Sequence, residues 1–171
     1  MTTAVNVTKK NYIAYADLGF ALSLQGRTEE EIHCYRKALQ INPDDQKLHF
    51  NLALSLSSIG LKNEAIEHFK EALRLDPTFA KANGALGLVL MEQGKNEEAI
   101  GYLARAVRIY PAFVEAWYNF GLAEMRLGRL IEARSRLKEA YRLSPQNQSI
   151  RQSLEYVQKV IDFKNKDTIT K

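Results

Sequence analysis

Few residues in the sequence are of a type that could support catalysis or metal binding. Cys34 is the one cysteine, and the histidines are His33, His49 and His68. Because His68 follows Cys34 by 34 residues, these two and His33 could meet on neighbouring helices, but a tetrahedral metal site needs a further ligand. The sequence contains no hydrolase, phosphate-loop or zinc-protease motif. We therefore predict no catalytic residue, metal site or cofactor, and we expect these side chains to serve packing.

A second group of chemically suited side chains is basic and falls within residues 126–142. Such a cluster could bind phosphate or nucleic acid. Glu132 and Glu139 lie among the cations and favour a salt-bridged surface, so we rank nucleic acid below protein as a partner. The basic residues are Arg126, Arg129, Arg134, Arg136, Lys138 and Arg142.

Composition and charge indicate a folded chain rather than a disordered one. It has 171 residues, of which 46% are hydrophobic and 26% charged. The net charge is +4 and is unevenly distributed, since residues 12–45 carry −3 and residues 114–147 carry +2. Such a charge gradient could orient a polar partner. No apolar run approaches the roughly 20 residues that span a bilayer, so we predict no membrane insertion. A single cysteine is typical of a reducing compartment, and we expect a cytoplasmic location.

Three residue columns recur at one interval of 34 residues. An interval of this length indicates one helical hairpin written four times. A repeat array has no single enclosed pocket, which favours binding over catalysis. The columns are Gly26, Gly60, Gly94 and Gly128; Ala38, Ala72, Ala106 and Ala140; and Pro43, Pro77, Pro111 and Pro145.

Each repeat is predicted to contain two helices. Glycine turns the chain after the first, and the residue before proline ends the second. Thr28 and Glu31 match a capping box at the start of a second helix, and Asn96 is a candidate cap at the equivalent place. The predicted first helices are 12–25, 46–59, 80–93 and 114–127, and the second are 28–41, 62–75, 96–109 and 130–143.

Apolar columns show what each hairpin should bury. Large residues recur in the first helices at Leu18, Leu52, Leu86 and Phe120. Beside them stand the small residues Gly19, Ala53, Gly87 and Gly121. Facing them in the second helices we expect Tyr35, Phe69, Leu103 and Leu137. Small residues would let the two backbones approach closely, with the larger side chains filling the seam.

This pattern resembles the tetratricopeptide repeat over residues 12–147, and repeat 4 matches most fully. The matching residues there are Trp117, Phe120, Gly121, Gly128, Ala133, Leu137, Ala140 and Pro145. The resemblance implies an all-α, right-handed α-solenoid of four helix-turn-helix repeats whose first helices line a concave side. It also implies a non-catalytic scaffold or adaptor. Glu31 and Glu124 depart from the pattern, standing where alanine and a large apolar residue are expected.

The predicted organisation has four parts. Residues 1–11 are expected to be a flexible polar leader, and residues 12–147 to hold the repeats 12–45, 46–79, 80–113 and 114–147. An apolar stripe at helical spacing indicates a capping helix over 148–163, and 164–171 is expected to be a flexible tail. The stripe residues are Ile150, Leu154, Val157 and Ile161.

The resemblance places a partner-binding surface on the concave face. One column there is apolar in all four repeats, and its neighbours alternate in size or contain methionine, so a peptide could dock. The alternative is that part of this stripe packs between adjacent repeats. The predicted binding residues are Phe20, Phe50, Leu54, Leu88, Met91, Tyr118, Leu122 and Met125, with Ala16 and Gly84 as gaps.

Asn51 and Asn119 are candidate clamps for a peptide backbone. In some proteins of the resembled family an asparagine ladder at this place holds an extended peptide, and an amide side chain both donates and accepts. The alternative is a hydrogen bond between repeats. The pattern that grips an acidic chaperone C-terminus matches only in part, since Ala16 and Phe20 replace its first polar pair.

The predicted function is therefore protein–protein interaction, with a peptide or partner segment bound on the concave face. A second interpretation is self-association, through the groove or through exposed repeat ends. An RNA-binding array is a third and weaker interpretation.

Overall fold

The computed structural model describes the backbone of residues 2–169 and the side chains of residues 11–166, and its regular elements there are all α-helices. Eight of them form four helix-turn-helix pairs, which confirms the predicted all-α repeat fold, and a ninth follows. The first helices of the pairs are α1 (Thr2–Leu24), α3 (Gln46–Ser58), α5 (Ala80–Glu92) and α7 (Val114–Arg126). The second helices are α2 (Thr28–Ile41), α4 (Lys62–Leu75), α6 (Asn96–Ile109) and α8 (Leu130–Leu143), and the last is α9 (Gln148–Ile169).

The chain divides into two compact halves. The N-terminal half ends at Ala82 and the C-terminal half begins at Asn83, so the boundary falls within α5. In the N-terminal half α1 packs on α2, α2 on α3, and α3 on α4. In the C-terminal half α6 packs on α7, α7 on α8, and α8 on α9.

Glycine makes the turn inside each hairpin, as predicted. Gly26, Gly60, Gly94 and Gly128 have φ between 69° and 83°, which is left-handed backbone that other residues adopt at a cost. The residue after each glycine donates its N–H to a carbonyl five residues back, for example Arg27 to Leu22 at 3.1 Å. This bond ends the first helix and aims the chain into the second.

The small-residue column lets the two helices of a hairpin touch. A Cβ built on Gly19 would lie 2.6 Å from the Tyr35 ring, and one on Gly87 would lie 2.6 Å from Leu103. A Cβ built on Gly121 would lie at the same distance, 2.6 Å, from the Leu137 side chain. A methyl group at these positions would displace the second-helix side chain that packs there, so the glycines admit Tyr35, Leu103 and Leu137 close to the first-helix backbone.

The predicted ends of the first and last helices are wrong. Helix α1 begins at Thr2 rather than at residue 12, and α9 continues to Ile169 rather than ending at 163. Neither extension contains glycine or proline, so nothing in it stops a helix. The predicted leader and tail are therefore helical over residues 2–11 and 164–169, and residues 1, 170 and 171 lie outside the described part.

The predicted capping box is also wrong. Arg27 occupies the cap position of α2 and makes no side-chain cap, while Thr28 is already helical. Glu31 is buried instead and accepts a hydrogen bond of 2.6 Å from Ser55 Oγ of α3. Asn96 likewise lies inside α6, with Lys95 at the cap position. An inter-helix partner for Glu31 outweighs a local cap, because a buried carboxylate needs a donor.

Helix α9 covers the apolar face of repeat 4. Val157 and Ile161 join Ala133 and Leu137 of α8 in one buried cluster. Asn147 starts the helix by accepting the Ile150 N–H on its side-chain oxygen at 3.2 Å. The stripe predicted from helical spacing therefore faces the repeat, as a capping helix requires.

Candidate partner-binding surface

Tyr35 is the centre of the N-terminal half. Its ring lies on Gly19 of α1, and its hydroxyl makes side-chain hydrogen bonds with Ser23 of α1 and Asn51 of α3. Burial, assisted by the nearby charge of Glu31, raises the pKa of Tyr35 to about 12 although both hydrogen bonds oppose this. Three helices therefore meet at one neutral hydroxyl, and the Asn51 side chain is one of its partners.

Two predicted binding residues are exposed one helical turn from this junction. Phe20 precedes Ser23 by three residues and is 57% exposed, and Leu54 follows Asn51 by three and is 44% exposed. Ile13 and Leu24 are also exposed, and sequence reasoning missed them. Their spacing of seven and four residues from Phe20 puts all three on one face of α1, a signal that the sequence already carried.

Phe50 does not form a groove wall as predicted. Its ring lies 4.8 Å from the Phe79 ring and 5.9 Å from the Phe69 ring, measured between centroids. These distances are typical of aromatic packing, so Phe50 stabilises the repeat interior. Both partner rings belong to repeat 2 itself, residues 46–79, so these contacts lie within one repeat rather than between adjacent repeats.

The alternation of small and large residues in this column has a packing cause. In the C-terminal half, a Cβ on Gly84 would lie 2.9 Å from the Phe113 ring, so the predicted gap is filled. Gly84 and Phe113 are equivalent by repeat position to Phe50 and Phe79. Phe79 and Phe113, each of which directly precedes a first helix, therefore fill the same place in their repeats. Phe79 lies beside the Phe50 ring, and Phe113 lies over Gly84.

Tyr118 and Met125 belong to the cap rather than to a groove. Both pack against the cluster that α9 forms with α8. The Tyr118 hydroxyl lies 3.3 Å from Ser153 Oγ of α9. Both side chains are half-buried and help to hold the capping helix on repeat 4.

Met91 is also wrongly predicted as a binding residue, since it is only 3% exposed. Its carbonyl accepts a 2.9 Å hydrogen bond from Arg126 Nη1 of α7. This bond joins the ends of two first helices, and Met91 lies in the core at that place.

Three predicted residues remain accessible in the C-terminal half. Leu88 on α5 is 41% exposed, and Leu122 and Asn119 on α7 are half-buried. Among the described residues the Asn119 amide has no hydrogen-bond partner, because Leu103 stands at the repeat position that Tyr35 occupies beside Asn51. Asn119 thus keeps the capacity to pair with a peptide unit.

Most of the arginines of residues 126–142 have partners within the protein. Arg129 bridges Glu97 at 2.6 Å and Arg142 bridges Glu139 at 2.9 Å. Arg134 donates to the side chain of Gln158, and the Arg136 guanidinium lies 4.6 Å from the centre of the Phe120 ring. Cations engaged in this way are less available to phosphates, which supports ranking nucleic acid below protein.

Glu124 is a buried carboxylate in a leucine column. Leu22, Leu56 and Leu90 hold the equivalent positions. Desolvation raises the pKa of Glu124, and the Arg129 guanidinium, 3.5 Å away, opposes the shift in part. Its Oε2 atom is buried and has no hydrogen bond among the described residues, which leaves the group costly in its charged form.

Cys34 and the three histidines do not form a metal centre. Within the described residues no group of three or more His, Cys, Asp or Glu side chains could hold an ion. Cys34 is buried and unpaired, whereas His68 lies against His49 with their Nδ1 atoms 2.9 Å apart. None of the helices in residues 2–169 combines the length and apolar character that a bilayer-spanning helix requires.

Paired helices, glycine turns and small-residue contacts define a helix-turn-helix repeat protein. Two models for the tetratricopeptide repeat match, one over residues 50–113 and 85–148 and the other over residues 12–45, and the chain belongs to the tetratricopeptide repeat family. Proteins of this family generally mediate protein–protein interaction and are typically non-catalytic. A comparison with curated protein sequences finds no match.

Solved structures share the fold at low identity. MamA is 25% identical, with a TM-score of 0.86, over 92% of this chain and 86% of MamA. The pilF protein of Pseudomonas aeruginosa is 25% identical, with a TM-score of 0.78, over 95% of this chain and 72% of its own. YrrB, described as a TPR protein with an unusual peptide-binding site, is 24% identical with a TM-score of 0.81 over 94% and 83% of the two chains.

Proposed function

We propose that this protein is an adaptor that binds an apolar or amphipathic peptide segment of a partner through the first helices of its repeats. In the N-terminal half the binding residues are Phe20 and Leu54, extended by Ile13 and Leu24. In the C-terminal half they are Leu88 and Leu122, with Asn119 as a backbone clamp. The proposed location is the cytoplasm, since Cys34 is buried and unpaired as in proteins of reducing compartments.

One observation carries the proposal. The column of Phe20, Leu54, Leu88 and Leu122 is apolar in every repeat, yet none of its members is buried. Core packing does not need these side chains, because the neighbouring columns fill the seams. Exposed large apolar residues at equivalent positions are typical of a binding surface.

Peptides selected from a random library on the immobilised protein would test this proposal. We expect the double variant Phe20→Ala, Leu54→Ala to bind a selected peptide at least about tenfold more weakly, because each loses roughly 1.5–3 kcal/mol of apolar burial. Fluorescence anisotropy measures the affinity, and denaturant unfolding checks that stability is retained. Ile131→Ala is the matched control, since Ile131 is equally exposed but lies on a second helix.

Unchanged affinity in the double variant would contradict the proposal. So would selected peptides whose chemical-shift changes fall on α2, α4, α6 and α8. Alanine at Phe50 or Tyr118 should instead lower stability, because those rings pack inside the protein.

Self-association is a second candidate function, and the position of Leu18 favours it. Leu18 was expected in the core but is 49% exposed, whereas its equivalent Leu52 is fully buried and shares a cavity wall with Leu39 of α2. Within the part of the chain that the structure describes, Leu18 has no such cover. A helix of a second copy would supply that cover.

Light scattering over a range of concentrations tests this second candidate. We expect the mass of the wild type to rise above 19.5 kDa with concentration and that of Leu18→Asp to stay there. Leu61→Asp, at another exposed leucine of the N-terminal half, should behave as the wild type. A wild type that stays monomeric throughout would rule out association through this face.

A further inference from the structure

His49 and His68 face each other in a way that fixes their protons. Their Nδ1 atoms are 2.9 Å apart and their ring centroids 5.1 Å apart, so the two nitrogens lie close to the line between the rings. This is hydrogen-bond geometry, with a proton between the nitrogens. A tetrahedral metal would need both lone pairs to converge on a third point, which this alignment does not provide.

A backbone carbonyl decides which ring donates. His49 Nε2 lies 2.9 Å from the carbonyl oxygen of Pro43, which can only accept, so Nε2 carries a proton. Neutral His49 then has a bare Nδ1, and His68 must donate its Nδ1–H to it. A chain of two hydrogen bonds therefore runs from α4 through α3 to the loop before α3.

This chain tolerates one added proton but not two. The first can enter at His68 Nε2, which leaves both hydrogen bonds in place. With a second proton, both Nδ1 atoms would carry hydrogens and point them at each other across 2.9 Å. Two cationic rings at that distance repel, so the rings must separate.

We propose that His49 and His68 form a proton-operated latch that ties α3, α4 and the preceding loop together while the pair carries at most one positive charge, and that opens when both rings are protonated. The loop is a junction in its own right. Asp45 caps α3 through the Lys47 and Leu48 N–H groups and accepts a hydrogen bond from the Tyr12 hydroxyl of α1. Opening would thus loosen a contact point of three helices.

Repeat 4 contains the equivalent hydrogen bond to a proline carbonyl, but from a ring that does not titrate. Trp117, equivalent to His49, donates its indole N–H to the carbonyl of Pro111 at 2.9 Å. An indole nitrogen only donates and does not titrate in this range. The imidazole of repeat 2 makes the same bond to a proline carbonyl but adds a second nitrogen, and with it dependence on pH.

The surroundings set the direction of the response. Burial lowers the pKa of His68, and the charge of His49 and Arg36 of α2 lower it further, while Glu64 and Glu67 of α4 raise it. Glu71 of α4 also interacts with both rings. Because the unfolded chain takes up a proton at His68 more readily than the folded chain, stability is fully present above about pH 6.5 and declines as pH falls through the folded pKa of His68, and the second proton then opens the latch.

The latch also closes one wall of a cavity of about 290 Å³. Its other lining residues include Leu39, Pro43 and Leu52. Separation of the rings would widen this cavity on the α2 side of α3.

Nuclear magnetic resonance of the ¹⁵N-histidine-labelled protein tests the latch directly. We expect a scalar coupling between the two Nδ1 nuclei at pH 7.5 that persists through the first protonation and disappears at lower pH. The Trp117 indole N–H signal should not move over the same range, which makes it an internal control. Absence of the coupling at every pH, or its persistence below pH 4, would overturn the proposal.

Variants give a second readout. His68→Gln keeps a donor towards His49 but does not titrate, so its unfolding midpoint should fall less between pH 7.5 and 5 than that of the wild type. His33→Gln removes an exposed histidine next to Cys34 and should retain the wild-type fall. Equal pH dependence in all three proteins would contradict the latch.

Discussion

Repeats 1 and 4 follow one pattern but treat the same position in opposite ways. Leu18 in repeat 1 is 49% exposed, whereas its equivalent Phe120 in repeat 4 is 4% exposed. In repeat 4 the Trp117 ring stacks beside Phe120 at 6.3 Å, and the Arg136 guanidinium covers it from α8. Repeat 1 has the smaller Tyr15 and Cys34 at those two places.

The difference shows that the neighbours of a position, rather than its place in the repeat pattern, decide whether it is covered, since Leu52 is fully buried with His49 and His68 at the same two places. Repeat 4 surrounds its large residue with side chains of its own hairpin, and α9 covers its other face. Repeat 1 leaves Leu18, Phe20 and Leu24 in solvent. Within each half the pattern is the same, but repeat 1 leaves large apolar side chains exposed, whereas repeat 4 covers more of its own.

The largest expected effect comes from removing Phe120. Phe120→Ala should lower the free energy of unfolding by about 3–5 kcal/mol, because a buried ring is lost and a cavity remains. Leu18→Ala is the matched comparison and should cost about 0.5 kcal/mol or less, as expected of an exposed site. Denaturant unfolding of both variants measures the difference. Similar losses at the two positions would mean that Leu18 is covered in solution.

The fold was predictable from the sequence because its determinants recur. A glycine that must adopt positive φ and a proline that ends a helix are read from residue type alone. The small residues that admit Tyr35, Leu103 and Leu137 could also be read from their 34-residue interval. The outer ends of α1 and α9 were missed because no stop signal marks them, and the predicted caps at Thr28 and Asn96 were wrong because both residues lie inside their helices.

The candidate surface was predictable only in part. Phe20, Leu54 and Leu88 are exposed as expected, because their column faces away from the contacts between helices. Phe50 was misjudged because its cover comes from Phe79, which lies 29 residues away in sequence. Tyr118 packs against α9, a contact that its column in the sequence does not reveal. These contacts come from residues outside the helix that carries the column. The pattern of residues within one helix therefore does not reveal them.

The smaller expected effect concerns the buried glutamates, one in each half. Glu31 has the Ser55 hydroxyl as donor at 2.6 Å, whereas Glu124 Oε2 is buried without a hydrogen bond among the described residues. Glu124→Leu restores the residue type of its column. Arg129 is not stranded, because it is partly exposed and keeps Glu97 at 2.6 Å. We therefore expect the variant to be more stable by about 1 kcal/mol at neutral pH.

The pH dependence separates this explanation from simple repacking. Because burial raises the pKa of Glu124 above that of the unfolded chain, the native state holds the proton longer. Its stability is fully present below about pH 4.3 and declines as pH rises through the folded pKa. The advantage of Glu124→Leu over the wild type should thus grow from pH 4 to pH 7.5 in denaturant unfolding. Glu124→Gln, which cannot titrate, should lose that pH dependence, and a constant gap between wild type and the leucine variant would show that the carboxylate is not the cause.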